Sequence, residues 1–262
     1  MLRALYTSAS GMQAQQMNLD VIANNLANVN TTGFKKSKVE FQDLLYQTSR
    51  AAGSEAGAGN QVPTSLQVGH GSRPVATAKN FSNGELYQTG EKLDIAIHGN
   101  GFFKVTLTDG NDAFTRDGGF KLNNSGSIVT SDGLPVTSFA GVTIPSTATN
   151  VSISPDGSVS LTDQGVTSTV GQITLSRFAN PAGMESMGNS LYRRTEASGT
   201  EETGTPNLAG MGTVQQGWLE LSNVKVIEEM VNLIKAQRAY EINSKSIQAA
   251  DEMMSMSNRL RG

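Results

Sequence analysis

The sequence predicts an α+β protein: long N- and C-terminal helices forming a coiled-coil-like pair, with a central antiparallel all-β domain. Three observations predict it. Leu2, Leu5, Ala9, Met12, Leu19, Ala23 and Leu26 follow one another in steps of three and four, or of seven across Gln16, the single polar position of that stripe. A comparable stripe runs near the other end, through Ile227, Met230, Leu233, Ile234, Tyr240, Ile247, Ala250 and Met254. Between the ends the apolar period falls to two, with glycine- and aspartate-rich turns roughly every ten residues.

The first helix is expected from near Leu2 to about Val29. Asn24-Asn25, Asn28 and Asn30-Thr31-Thr32-Gly33 end it, because Asn tolerates and Gly accepts left-handed backbone. Phe34, Val39, Phe41, Leu44 and Leu45 form a second apolar patch. Lys35, Lys36 and Lys38 beside it read as a solvated face or, more sharply, as a polar contact to a neighbouring copy. Residues 1–46 thus hold the helix and the segment after it, and 47–72, rich in Ala, Gly, Ser and Gln, an extended loop or long hairpin.

Residues 73–178 read as the β-domain. Leu93, Ile95 and Ile97 alternate with Asp94, Ala96 and His98, and Phe103, Val105 and Leu107 resume after Gly99-Asn100-Gly101. Val151 and Ile153 pair with Val159 and Leu161 across Ser154-Pro155-Asp156-Gly157, and Val170, Ile173, Leu175 and Phe178 give another strand. The pattern predicts a sandwich or barrel, not a parallel α/β sheet. Residues 179–217 read as a return linker and 218–262 as the C-terminal helix, with Asn223 as N-cap, Glu228-Glu229 near its positive end, and Arg259 and Arg261 near its negative end.

Neither terminal stripe can bury itself alone. The ends are therefore expected to pair with each other and with copies of themselves, disordered or frayed in the monomer and ordered on assembly. The expected self-assembly interface is Leu2, Leu5, Met12, Leu19, Ile22 and Leu26 on the first helix, and Ile227, Met230, Leu233, Ile234, Tyr240, Ile247 and Met254 on the second. Leu19→Asp or Ile247→Asp is expected to block assembly while the monomer melts normally.

Composition excludes several functions. The chain has 262 residues, net charge −3 and no cysteine, so disulfides and thiolate metal sites are excluded and no basic stripe invites nucleic acid. No apolar run approaches the roughly 20 residues of a membrane span, so no membrane insertion is expected. No signal-peptide h-region follows Arg3, which implies a cytoplasmic chain or export without a cleaved leader. His70 and His98 stand apart beside glycines, and Asp94, Asp109, Asp112 and Asp117 each sit by a turn, where Asp is expected on local grounds. No dinucleotide, phosphate-loop or hydrolase motif occurs, so the reading is of a non-enzyme without catalytic residue, cofactor or metal.

Several long motifs together resemble one family. Ser10-Gly11-Met12-Gln13-Ala14-Gln15-Gln16 and Ile22-Ala23-Asn24-Asn25-Leu26-Ala27-Asn28-Val29-Asn30-Thr31-Thr32-Gly33-Phe34-Lys35 resemble the N-terminal signature of bacterial flagellar rod and hook proteins. Leu93 to Phe103, Phe114-Thr115-Arg116-Asp117-Gly118, Ser222-Asn223-Val224 and Gln237 to Lys245 extend the match. The chain's length, and Asp43 to Thr48 followed by a Gly-rich extension and Pro63, resemble the distal-rod members most. The resemblance implies a structural subunit that polymerises with itself into a tubular driveshaft, its terminal helices forming the inner tube. It implies export through the flagellar type III apparatus, a place spanning the periplasm, and other rod and hook subunits and the P- and L-ring proteins as partners. It associates the segment from Thr48 to Gly71 with a straight, stiff rod. The alternatives are a proximal-rod or hook-type subunit, a surface-binding β-domain on a helical stalk, or an enzyme on the cell wall.

Overall fold

The computed structural model describes residues 2–53, 62–145, 148, 150–163 and 166–260. They fold as two compact units, each drawing on separated stretches of the chain.

The first unit contains Met1–Leu26, Ser37–Ala78 and Lys225–Gly262. Helix α1 spans Leu2–Ala27 and helix α2 spans Val226–Arg259. At 1.5 Å per residue they are roughly 40 and 50 Å long. Glu228 and Glu229 in the first turn of α2 and Arg259 in its last complement the helix dipole, as expected. The cap is Lys225, which contributes its backbone alone: its carbonyl accepts from Glu229 N–H at 3.0 Å. Strands β1 (Ser37–Asp43), β2 (Tyr46–Arg50), β3 (Leu66–Gly69) and β4 (Ser72–Lys79) complete the unit. β1 pairs with β4, while β2 and β3 form an antiparallel hairpin, with Tyr46 opposite Gly69 and Gln47 opposite Val68. The stretch between them at 54–61 lies outside the described residues.

The second unit holds Ala27–Lys36 and Lys79–Val224. In chain order its strands are β5 Leu86–Gln88, β6 Ile95–His98, β7 Phe103–Thr106, β8 Asp112–Thr115, β9 Lys121–Leu122, β10 Ile128–Val129 and β11 Asn150–Ile153. There follow β12 Ser158–Asp163, β13 Val166–Gln172, β14 Leu175–Arg177, β15 Glu185–Gly188, β16 Leu191–Arg193, β17 Glu202–Gly204, β18 Thr213–Gln216 and β19 Trp218–Glu220. The described pairings are antiparallel, in small sheets: β15-β16-β8-β7, β11-β12-β13, and two-stranded ribbons β10-β9, β14-β17, β18-β6 and β19-β5.

Two apolar clusters hold this unit together. Ile95, Ile97, Phe103, Val105, Val159, Ile173 and Leu175 centre the larger one. Phe102, Phe114, Phe178, Met184 and Tyr192 form the smaller. Phe102 and Phe103, adjacent on an extended chain, point to opposite faces and so enter different clusters. The hairpin across residues 154–157 is as read, with Ile153 opposite Val159.

The structure revises four readings. Trp218–Glu220, assigned to the C-terminal helix, is instead a strand paired with Leu86–Gln88. Residues 179–217 are more than a linker, because four strands from this stretch complete sheets begun earlier. Val170 to Phe178 divides into β13 and β14 of different sheets. Asn223 caps no helix: its amide donates to the carbonyls of Asn80 (2.8 Å) and Ser82 (3.2 Å), and its oxygen accepts from Lys36 N–H at 2.8 Å. In each case a long-range partner overrides the local signal.

Candidate assembly interface

The two terminal helices pack together, antiparallel. A side chain at Gly11 would meet Asn243 Nδ2 at 2.9 Å, and Asn25 Nδ2 lies 3.4 Å from Glu229 Oε2. The second contact lies two heptads further along α1 and two heptads back along α2, which fixes direction and register. On α2 the seam is Glu229, Leu233, Ala236, Asn243, Ile247 and Ala250, buried or part-buried, at alternating heptad steps. On α1 it is Gly11, Ala14, Asn18, Ile22 and Asn25, of which Ala14, Ile22 and Asn25 are buried. Small residues let the backbones approach. Asn25 adds a pin, donating to Ser37 C=O at 2.8 Å and accepting from Ser37 N–H at 2.9 Å.

This seam is not the stripe the sequence singled out on α1. Leu5, Met12, Leu19 and Leu26 are part-buried and, at 100° per residue, lie roughly 120–180° round the helix from Ala14. Ile22 alone of the expected α1 residues is buried in the seam; the Leu2 side chain lies outside the described ones. On α2 the expected residues divide. Leu233, Ile247 and Met254 are part-buried on the seam side, and Tyr240 sits at its margin. Ile227, Met230 and Ile234 are exposed, Ile227 at 79%.

Ile227 and Ile234 share a face with four exposed residues that the sequence reading left out, Val231, Ile242, Met253 and Met256. Ile227, Val231, Ile234, Ile242, Met253 and Met256 fall within about 100° of one another round α2 at 100° per residue, interrupted by Arg238 and Lys245, and all six are exposed, Ile242 at 63%. Helix α2 thus has one apolar line covered by α1 and another with none of its members covered. The available signal was recurrence at 3.6 residues, weakened by Arg238 and Lys245 on the same face.

The hairpin β2–β3 is exposed along both strands, with Tyr46, Leu66 and Val68 among its uncovered side chains. An isolated two-stranded ribbon is marginally stable in water.

In the second unit, three motifs far apart in sequence converge. Lys35 Nζ donates to Glu220 Oε1 at 2.6 Å and to the Ser82 carbonyl at 2.8 Å, with the Lys35 and Glu220 side chains fully buried. Arg116 lies 3.3 Å from Glu220 Oε2, donates to Gly99 C=O at 2.7 Å, and stacks over Phe102 at 5.2 Å. Lys35 is therefore neither a solvated charge nor a contact to another copy; burial lowers its pKa against the pull of Glu220. Burial pushes the nearby Tyr192 hydroxyl up to about 12. The turn before Lys35 needs glycine: Gly33 has φ +66°, and a Cβ there would fall 2.5 Å from Asp117 N.

The four aspartates at turns are engaged locally. Asp94 accepts from Thr89 Oγ1, Asp109 from Asn111, and Asp117 from Gly119 N–H, while Asp112 pairs with Lys104. His70 and His98 are exposed. Among the described residues no helix is long and apolar enough to cross a membrane.

A pair of end-helices and an antiparallel β-unit in one chain fit a structural protein of the flagellar rod and hook class. The family model for the flagella basal body rod protein matches residues 5–35, that for the flagellar hook protein FlgE/F/G D1 domain 96–161, and that for the flagellar basal body rod FlgEFG protein C-terminal region 215–260. The chain belongs to the flagellar basal-body rod family. It is 48% identical to the flagellar basal-body rod protein FlgG of Buchnera aphidicola subsp. Schizaphis graminum, over 99% of this chain and all of that protein. It is likewise 48% identical to FlgG of Borreliella burgdorferi, over 100% of this chain and 99% of that one, and 44% identical to FlgG of Bacillus subtilis, over 97% of each. It is a structural subunit of the flagellar basal-body rod, and its likeness is to distal-rod members.

Proposed function

We propose that the chain polymerises into a rigid tube through the outer faces of α1 and α2, and that this tube carries torque along the distal rod. The observation that carries the reading is the uncovered line on α2, with Ile227 79% and Ile242 63% exposed on a helix whose other apolar line is already covered. An apolar line of this length calls for a partner, and a contact between unlike faces propagates as a helical filament. The outer line of each copy meets the helices of the next, and many such contacts in parallel transmit twist.

The expected α1 residues Leu5, Met12, Leu19 and Leu26 join this outer surface, together with Ile227, Met230 and Ile234. The exposed β2–β3 hairpin lies against neighbouring copies and stiffens the shaft. Other rod and hook subunits adjoin the tube at its ends, and the P- and L-ring proteins surround it. The chain reaches this place through the flagellar type III apparatus.

The test is electron microscopy and sedimentation of the purified full-length chain at high concentration, beside Ile227→Asp and Ile242→Asp. Tubes are expected from the unaltered chain and none from either variant, with unchanged melting. A small closed oligomer of fixed stoichiometry, or tubes from both variants, overturns the reading.

A further inference from the structure

We propose that Met253 and Met256 form an oxidation-sensitive site through which peroxide-class oxidants stop the chain from joining a second copy. The inference rests on the outer line of α2 being an assembly face.

The chain has ten methionines and no cysteine, so the thioether is the only sulfur an oxidant meets. Met253 and Met256 are 49% and 57% exposed. They stand three residues apart on one flank of α2, continued by Leu260, which is 90% exposed. The register set by Gly11 with Asn243 and Asn25 with Glu229 brings Leu2, the start of α1, opposite Glu252. Both methionines therefore lie where α2 runs beyond α1. The occupant of this stretch is a second copy of the chain, because at 100° per residue Met253 and Met256 lie within about 80° of Ile227 and about 40° of Ile242, on the face assigned to assembly.

The chemistry is a two-electron oxygen transfer. The O–O bond of hydrogen peroxide breaks, one oxygen forms an S–O bond with the thioether, and the remainder leaves as water. Sulfur is oxidised and peroxide reduced, with no further reactant. The product sulfoxide is a polar acceptor on a side chain that was apolar. In an apolar contact between copies it finds no donor, and the concentration needed for assembly rises about tenfold or more.

The experiment treats the purified full-length chain with hydrogen peroxide and locates sulfoxides by mass spectrometry. Assembly is followed by sedimentation before treatment, after it, and after reduction with a methionine sulfoxide reductase and a thiol. All chains carry Met17→Leu and Met230→Leu, which removes the other exposed methionines of the two helices; the Met253→Leu/Met256→Leu double variant and Met187→Leu, whose methionine is exposed in the other unit, are made in that background and treated in the same way. The expected result is loss of assembly in the treated chain, recovery on reduction, resistance in the double variant and undiminished sensitivity in Met187→Leu. Normal assembly of chain oxidised at both positions overturns the proposal, as does a double variant that peroxide disables fully. If the Met253→Leu/Met256→Leu variant fails to assemble untreated, loss of assembly in the Met17→Leu/Met230→Leu chain with sulfoxide mapped to Met253 and Met256, and its recovery on reduction, decides the matter. Failure of the untreated chain to assemble would instead overturn the assembly reading itself.

Discussion

Lys35 and Glu220 are 185 residues apart in sequence and 2.6 Å apart in space, fully buried. Lys35 follows the first helix in sequence and Glu220 precedes the last, so one ion pair joins two remote stretches of the second unit. Arg116 shares the carboxylate. Glu220→Ala would leave two cations buried without their counter-charge, and should destabilise the second unit by about 3–5 kcal/mol. Thermal or denaturant unfolding of the variant measures this.

Tyr192 supplies a pH dependence with a definite sign. Its folded pKa is raised by burial to about 12 from 10.0. A group raised on folding contributes stability that is fully present below its unfolded pKa and lost as pH rises through the folded one. Stability should therefore fall by about 2–3 kcal/mol between pH 10 and 12. Tyr192→Phe should remove that slope. Denaturant melts across this range, natural chain against variant, provide the measurement.

Gly33→Ala should cost about 1–3 kcal/mol, because the residue keeps a left-handed φ and its new Cβ would press on the backbone of Arg116 and Asp117. Since that obstacle is backbone rather than a movable side chain, Gly33→Asn should be no better tolerated. Comparing the melting of the two variants separates crowding from conformational preference.

Asn25→Ala removes the pin between α1 and the start of β1, leaving Ser37 N–H and C=O without that partner. A loss of about 1–3 kcal/mol is expected. Faster hydrogen exchange at the Ser37 amide would mark the site of the damage.

Ile247→Asp and Ile227→Asp should behave differently, although the sequence treats them alike. Ile247 is part-buried on the seam with α1, so the aspartate should lower monomer stability by about 2 kcal/mol or more as well as block assembly. Ile227 is exposed, and its aspartate should block assembly alone. The pair of melting curves distinguishes the two lines on α2.

What was legible in the sequence was whatever depends on period and punctuation. The heptad steps placed both helices, and the period-two runs ending in Asp-Gly or Gly-Asn-Gly placed most of the antiparallel strands. What was not legible depends on which remote residue arrives. Nothing near Lys35 announces Glu220, so a buried lysine read as a solvated one. Nothing near Asn223 announces Asn80 and Ser82, so a bridging side chain read as a cap. On α1 the largest side chains drew attention to a face other than the one α2 covers, because close approach of two helices is served by Gly11 and Ala14, which carry almost no hydrophobic signal. The uncovered line of α2 went unread for a related reason: a helix with two apolar lines looks, in one dimension, like one with a single broad line.

The helices are unequal, 26 residues against 34, and the register gathers most of the surplus at one end. A pair finished that way has a blunt end and a tapered one. Stacked head to tail, such pieces always offer the newcomer the same kind of toehold. A shaft made of them has a built-in direction, with a growing tip chemically unlike its base, without any separate cap to tell the two apart.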